Sequence, residues 1–304
     1  MRQPGRSRVV RRGLAVLAAG TVLVTGACGG GDPLDPQREA AEGGEIIVGS
    51  ADFAENQLLM EMYAEVLREG GAEVSTRPGV GNREFIVDGL QDGSLTVVPE
   101  YTGNLLHHFA EVAPGTSAEE IVTELDASLP EGLEILAPAE AENSDVLVVT
   151  QETSERLDLT SLADIGEQCD ELVLGAAGEW AGRWVEPIAE IYDCTFSEIR
   201  TTDAGGPITV DELAAGNVDV ANLFTTMSAI EENGFVELED PEQLYPAQQV
   251  IPLARADALD DEQRAALDEL AAALNTENLK EMVRRIEVDR ENYADVAQEF
   301  VAGL

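Results

Sequence analysis

The chain has 304 residues, enough for two domains with real hydrophobic cores, and 44% of them are hydrophobic. Sixty acidic against 18 basic residues give a formal charge of −42, which excludes ordinary nucleic-acid binding, since phosphate contact needs clustered cations. The single lysine, Lys280, lies in a helical-looking stretch without a glycine-rich loop before it, so neither a phosphate-binding loop nor a Schiff-base cofactor is expected. No cofactor is expected at all.

Arg2, Arg6, Arg8, Arg11 and Arg12 precede an uncharged stretch from Gly13 to Thr25, and Gly26-Ala27 stand before Cys28. This pattern reads residues 1–27 as an export signal. As a helix, Gly13–Thr25 reaches roughly 20 Å, short of a hydrocarbon core of about 30 Å, so a permanent span is the weaker reading. The segment resembles a bacterial lipoprotein signal, which implies that Cys28 is lipidated and becomes the first mature residue. A plain secreted chain with an incidental Cys28 is the alternative. Removing residues 1–27 leaves 13 basic and 60 acidic groups, a formal −47. Such a surface suits solubility and salt. Residues 28–44 lack apolar periodicity and read as a flexible tether.

From Ile46 the pattern alternates. Ile46–Ser50 reads as a buried strand, and Glu55–Arg68 repeats Leu58, Leu59, Met62 and Val66 at helical spacing. Ala72–Thr76 reads as a strand, Phe85, Ile86 and Leu90 mark a helix, and Leu95–Val98 a strand stopping at Pro99. A second set starts with Asp145–Thr150 and continues through Glu171–Gly175, a helix near Ala181–Tyr192 and Val218–Leu223. Gln248–Leu253 is a further strand, and Asp260–Phe300 is helical. The expected fold class is α/β, two units of mostly parallel sheet flanked by helices. Cys169 and Cys194 are expected to pair in an oxidising compartment, closing a segment worth roughly 3.5 kcal/mol in the loop-entropy model; a metal site is the rival, without a CxxC or a nearby His to favour it.

In open α/β sheets ligands gather at the carboxyl ends of strands. That directs attention to Ser50–Phe53, Pro99–Asn104, Gly175–Arg183 and Phe224–Thr226. Gly49-Ser50 with Phe53 and Gln57, followed by Pro99-Glu100-Tyr101-Thr102-Gly103, resemble the substrate-binding lipoproteins of osmoprotectant ABC importers. Further pieces of the resemblance are Leu159–Asp164, Gly178-Glu179-Trp180 with Arg183, Asp203-Ala204-Gly205-Gly206 and Leu213–Val220. It implies a two-lobed periplasmic-binding-protein fold of type II that closes over a glycine betaine, choline or related quaternary amine, and delivery to an ABC permease and its ATPase.

A quaternary ammonium cannot donate hydrogen bonds, so aromatic faces recognise it. The resemblance implies Tyr101 as a cage tyrosine, Arg183 as the partner of a ligand carboxylate and Asn104 in place of a ligand-contacting Thr. Cage tyrosines are missing at Asn143–Asp145 and at Leu223–Met227, which leaves Trp180, Phe53 or Phe224 to compensate. Ser50 and Thr225 complete the candidate contacts. Asp145 is read either as a partner for a cation bearing N–H groups or as a cap or solvated acid. The lobes are expected as 45–144 plus 247–304 and 145–246, in a monomer anchored to the outer face of the membrane through Cys28.

One alternative is the same fold binding a different amine or amino-acid-like solute; an enzyme, a secreted hydrolase, is the different-class alternative. The sequence has no GxSxG or HExxH, and its only histidines are the adjacent pair His107-His108, so nucleophilic and zinc chemistry lack their parts. A solute-sensing partner of a membrane receptor is a third reading.

Overall fold

The computed structural model describes residues 44–304. In the first stretch lie β1 (Glu45–Gly49), α1 (Ala54–Glu69), β2 (Glu73–Arg77), α2 (Arg83–Gln91), β3 (Val97–Tyr101), α3 (Thr102–Phe109), α4 (Ala118–Ser128) and β4 (Leu133–Ile135). Next come β5 (Asp145–Thr150), α5 (Gln151–Leu157), α6 (Leu162–Ile165), a 3-10 turn at Gly166–Glu171, β6 (Val173–Ala176), α7 (Gly178–Tyr192), β7 (Glu198–Thr201), α8 (Pro207–Ala214), β8 (Val220–Phe224), α9 (Ser228–Asn233) and β9 (Phe235–Glu237). β10 (Val250–Arg255), α10 (Asp261–Ala273), α11 (Thr276–Glu287) and α12 (Tyr293–Val301) end the chain. No helix among the described residues is long and apolar enough to cross a membrane.

Two five-stranded sheets result, in the orders β2-β1-β3-β10-β4 and β7-β6-β8-β5-β9. In each, four strands share a direction and one is reversed: β10 is antiparallel to β3 and β4, and β5 is antiparallel to β8 and β9. The reversed strands are those the chain enters directly after crossing from the other sheet. The architecture is therefore α/β in two lobes, with mixed sheets.

Alternation along the strands builds two cores per sheet. Val97 and Tyr101 of β3 face α1, α10, α11 and α12, where Leu58, Met62, Leu267 and Val283 pack. Val98 faces α2, α3 and α4, among Ile86, Leu105 and Leu125. In the second lobe Leu147 and Val149 of β5 meet α6 and α7, whereas Val146 and Val148 meet α8 and α9. Because both faces are covered, β5 carries a continuous apolar run, Val146–Val149, while β3 is buried throughout, Glu100 included.

The strand expected to stop at Pro99 instead runs through it to Tyr101. Pro99 stands opposite Pro252 of β10. The Pro99 carbonyl accepts from Asn56 and the Pro252 carbonyl from the Leu136 N–H, so both prolines direct their polar edges away from each other. Neither removes a rung between β3 and β10.

The two crossings run side by side. The Asn143 N–H donates to the Gln248 carbonyl (3.1 Å), and Glu142 and Gln249 form an antiparallel bridge. Cys169 and Cys194 form a disulfide, with Cα atoms 5.2 Å apart, that ties the 3-10 turn to the end of α7.

Candidate functional site

A cavity of about 620 Å³ opens between the lobes. The starts of α1 and α2 and the end of β3 make its first-lobe wall; the Asp203–Gly206 loop, Phe224, Thr226 and Met227 make the second-lobe wall. This is where the carboxyl ends of the co-directional strands point, as the fold class dictates.

Every residue of Pro99-Glu100-Tyr101-Thr102-Gly103 has a structural reason. Asn56 Nδ2 donates to the Pro99 carbonyl (3.0 Å) while its Oδ1 accepts from the Ala51 N–H (2.7 Å), locking the loop after β1. Arg83 Nε and Nη2 clasp both Glu100 oxygens at 2.9 Å. The Tyr101 hydroxyl donates to Glu55 Oε1 at 2.7 Å. Thr102 Oγ1 donates to the Ala247 carbonyl and accepts from the Gln249 N–H, both at 3.1 Å. Gly103 lies so close to the returning crossing that a Cβ would stand 2.6 Å from the Ala247 carbonyl oxygen and 2.9 Å from Pro246. Since that contact is backbone, Gly103→Ala is expected to cost about 1–3 kcal/mol, read as a lower midpoint at unchanged m-value in urea unfolding.

Within the cavity Phe53, 43% exposed, stacks on Tyr101 with ring centroids 6.1 Å apart and planes at 30°. Beneath them Glu55, 3% exposed, accepts from Tyr101 and, at 2.9 Å, from Asn143 Nδ2. Both bonds fall on Oε1. Glu55 Oε2 and Asn143 Oδ1 are buried without a hydrogen-bond partner. Burial pushes the Glu55 carboxyl above the usual range; its polar neighbours Thr226, Tyr101 and Asn143 oppose the shift and the Glu287 charge adds to it. Burial, then the Glu55 charge, likewise drives the Tyr101 hydroxyl well up.

The cavity wall carries six carboxylates, Asp52, Glu55, Glu100, Glu179, Asp203 and Glu287, against one guanidinium, Arg83, already clasped by Glu100. Its field therefore favours a cation.

The sequence-derived candidates divide between this cavity and its surroundings. Phe53, Tyr101 and Asn104 line it. Ser50 does not: its Oγ, fully buried, accepts from the Gly79 N–H at 3.2 Å and holds the loop before α2. Asp145 and Trp180 are absent from the wall because they satisfy each other, the indole N–H donating to Asp145 Oδ1 at 2.9 Å. Asn222 Nδ2 adds a second donor at 3.2 Å. Burial raises Asp145 to about 6, against the pull of Asn222, Trp180 and Arg183. Thr225 pairs with Ser144 through its hydroxyl and backbone, at 3.0 Å each, beside the outgoing crossing. Arg183 lines an adjoining hollow of about 370 Å³ that shares Asn82, Arg83, Asn104 and Glu179 with the cavity, and it reaches across to Asn104 Oδ1 at 3.2 Å, with Glu179 3.6 Å away.

Glu55, Asn143, Thr226 and Glu287 were not among the sequence-derived contacts. Glu55 reads in sequence as an ordinary acid in a helix's first turn, favoured there by the helix dipole. The Asp203-Ala204-Gly205-Gly206 piece was visible as a motif, and the structure puts it on the cavity wall; Asp203 caps α8 through the Ile208 and Thr209 N–H groups.

The family model of the substrate-binding domain of ABC-type glycine betaine transport systems matches residues 44–303. The chain belongs to this family. The glycine betaine-binding protein YehZ of Escherichia coli (strain K12) is 27% identical over 273 residues, 84% of this chain and 89% of that protein. The carnitine transport binding protein OpuCC of Listeria monocytogenes is 23% identical over 164 residues, 52% of this chain and 53% of that protein. Among solved structures, a glycine betaine/carnitine/choline ABC transporter protein aligns with a TM-score of 0.73 at 19% identity, covering 85% of this chain and 98% of that one. Lactococcal OpuAC, closed around glycine betaine, aligns with a TM-score of 0.58 at 13% identity, covering 86% and 96%. Family members are solute-binding proteins rather than enzymes, acting outside the cytoplasm and delivering small solutes to an ABC permease.

Proposed function

We propose that this protein captures a small osmoprotectant with a quaternary ammonium or related cationic centre, such as choline or glycine betaine, between its lobes. The lobes are 45–144 plus 247–304 and 145–246, closing about the paired crossings. The observation that carries the reading is the acid-lined cavity whose single guanidinium is already neutralised. Phe53, Tyr101 and Phe224 supply aromatic faces, each worth about 0.5–2 kcal/mol to a desolvated cation. Asn104 contributes a polar edge, and Arg183 bridges the lobes beside the mouth. The bound solute passes to an ABC permease and its ATPase, from a monomer tethered by residues 28–44 to a lipidated Cys28 at the membrane's outer face. The export signal, Cys28 and the tether up to residue 43 lie outside the described residues.

Calorimetry of the purified protein against choline, glycine betaine, carnitine, basic amino acids and polyamines tests the reading. A true ligand at 100 times its Kd stabilises by about 2.7 kcal/mol and so also raises the melting temperature. Phe53→Ala, at a ring 43% exposed in the cavity, is expected to weaken binding severalfold while leaving the folded circular dichroism spectrum intact, and Tyr101→Ala to weaken it roughly tenfold or more with a loss of stability from its core position. Equal affinity in the wild type and Tyr101→Ala would sink the site.

A further inference from the structure

We infer that the ligand of this cleft carries a hydrogen-bond donor, an N–H or O–H group, close to its positive centre, and that Glu55 Oε2 and Asn143 Oδ1 accept from it. The inference rests on the cleft reading above and narrows it from quaternary amines in general to cations that can donate.

Buried polar atoms are nearly always paired, so once Glu55 is ionised its bare Oε2 and Asn143 Oδ1 call for a donor, which a ligand supplies alongside the neighbouring Thr226 hydroxyl. Glu55 Oε1 already receives the Tyr101 hydroxyl and the Asn143 amide, and the two leftover oxygens belong to residues of the cavity wall. A trimethylammonium group has no hydrogen to give them, and neither has a ligand carboxylate. A carboxylate would also meet six acids on the cavity wall, where the one guanidinium, Arg83, is already clasped by Glu100. Helix starts often receive anions, but α1 and α7, which have no side-chain cap, carry Glu55 and Glu179 in their first turns. The hydroxyl of choline, a primary or secondary ammonium, or a guanidinium each supplies the missing hydrogen beside a positive charge.

The groups facing Glu55 are Tyr101 on β3, Asn143 on the outgoing crossing, Thr226 in the second lobe and Glu287 on α11, with the Arg83–Glu100 pair alongside. With burial and Glu287 both favouring its neutral form, an arriving cation draws the proton off, and affinity rises with pH. A ligand carboxylate held by a neutral Glu55 would show the opposite trend.

Titration calorimetry at pH 6 and pH 8 with choline, methylguanidinium, tetramethylammonium and glycine betaine decides the matter. The better of the two donor-bearing cations is expected to bind at least about tenfold more tightly than tetramethylammonium or glycine betaine, and more tightly at pH 8. In Glu55→Gln the amide nitrogen would face the ligand as a donor, so the preference should collapse to within about threefold. Asn143→Ala provides an independent check at a site less prone to disturb the core, and should narrow the preference too. Tetramethylammonium or glycine betaine binding as tightly as both donors, or an undiminished preference in both variants, overturns the inference while leaving the cation cleft standing. No saturable binding by any of the four probes overturns the cleft reading and this inference together.

Discussion

Replacing both Cys169 and Cys194 by Ala is expected to destabilise the protein by about 3.5 kcal/mol, the loop-closure entropy of a cross-link of this span. Both sulfurs lie in the core of the second lobe, with Cys194 fully buried, so the substitution also removes packing there. At roughly 2–4 °C per kcal/mol for a chain of this size, the melting temperature should fall by about 7–14 °C. Reducing agent should move the wild type the same way and leave the double variant unmoved. A fall of less than about 2 °C, with a bond confirmed by mass spectrometry, would refute the assignment of stability to this cross-link.

The second large effect is electrostatic. Asp145 titrates near 6 in the folded chain because burial penalises its charge more than Trp180, Asn222 and Arg183 favour it. An aspartate whose folded value lies above its unfolded one holds extra protons in the native state, so its contribution is fully present below about pH 4 and disappears as pH rises through 6. Two units correspond to roughly 3 kcal/mol. Asp145→Asn keeps an oxygen for the indole and escapes the charge penalty. It is expected to stabilise the protein by about 1–3 kcal/mol at pH 8 and by progressively less towards pH 4. Denaturant unfolding of both proteins at pH 4.5, 6 and 8 measures this. A variant less stable than wild type at pH 8 would show that the ionised Asp145 is worth more to Trp180 than its burial costs. Glu55, Glu142 and Glu287 are shifted upward as well, chiefly by burial. The wild type should therefore gain stability from pH 8 to pH 6, opposite to a protein held by paired surface acids.

The strand and helix order was legible because each element buries at least one face and so repeats its apolar residues at a period of 2 or 3.6. The short edge strands β4, β7 and β9 were not, being only three or four residues long. Pro99 concealed the last turn of β3, since a proline facing a proline is invisible until the partner strand, some 150 positions on, is known. Tyr101 and Phe53 were singled out through the resemblance of Pro99–Gly103 and Ser50–Phe53, and the structure brings both onto the cavity wall. Trp180 and Asp145 stand off the cavity wall, because only the fold reveals that they bond to each other across 35 positions. Glu55 is the converse case. Its neighbours Tyr101 and Asn143 are 46 and 88 residues away, and no spacing rule joins them.

The reversed strands have a consequence for how the molecule comes into being. All five strands of the second sheet lie between residues 145 and 237, so that sheet can assemble as soon as this stretch of chain is available. The first sheet must wait, because β10 belongs between β3 and β4 and arrives only with residues 250–255. Until then β3 presents an unpaired edge of Val97 to Tyr101, and α1 lacks the cover of α10, α11 and α12. The half that appears first during synthesis is thus the half that finishes last, and a truncation between residues 101 and 250 leaves an adhesive sheet edge that no part of the remaining chain can close.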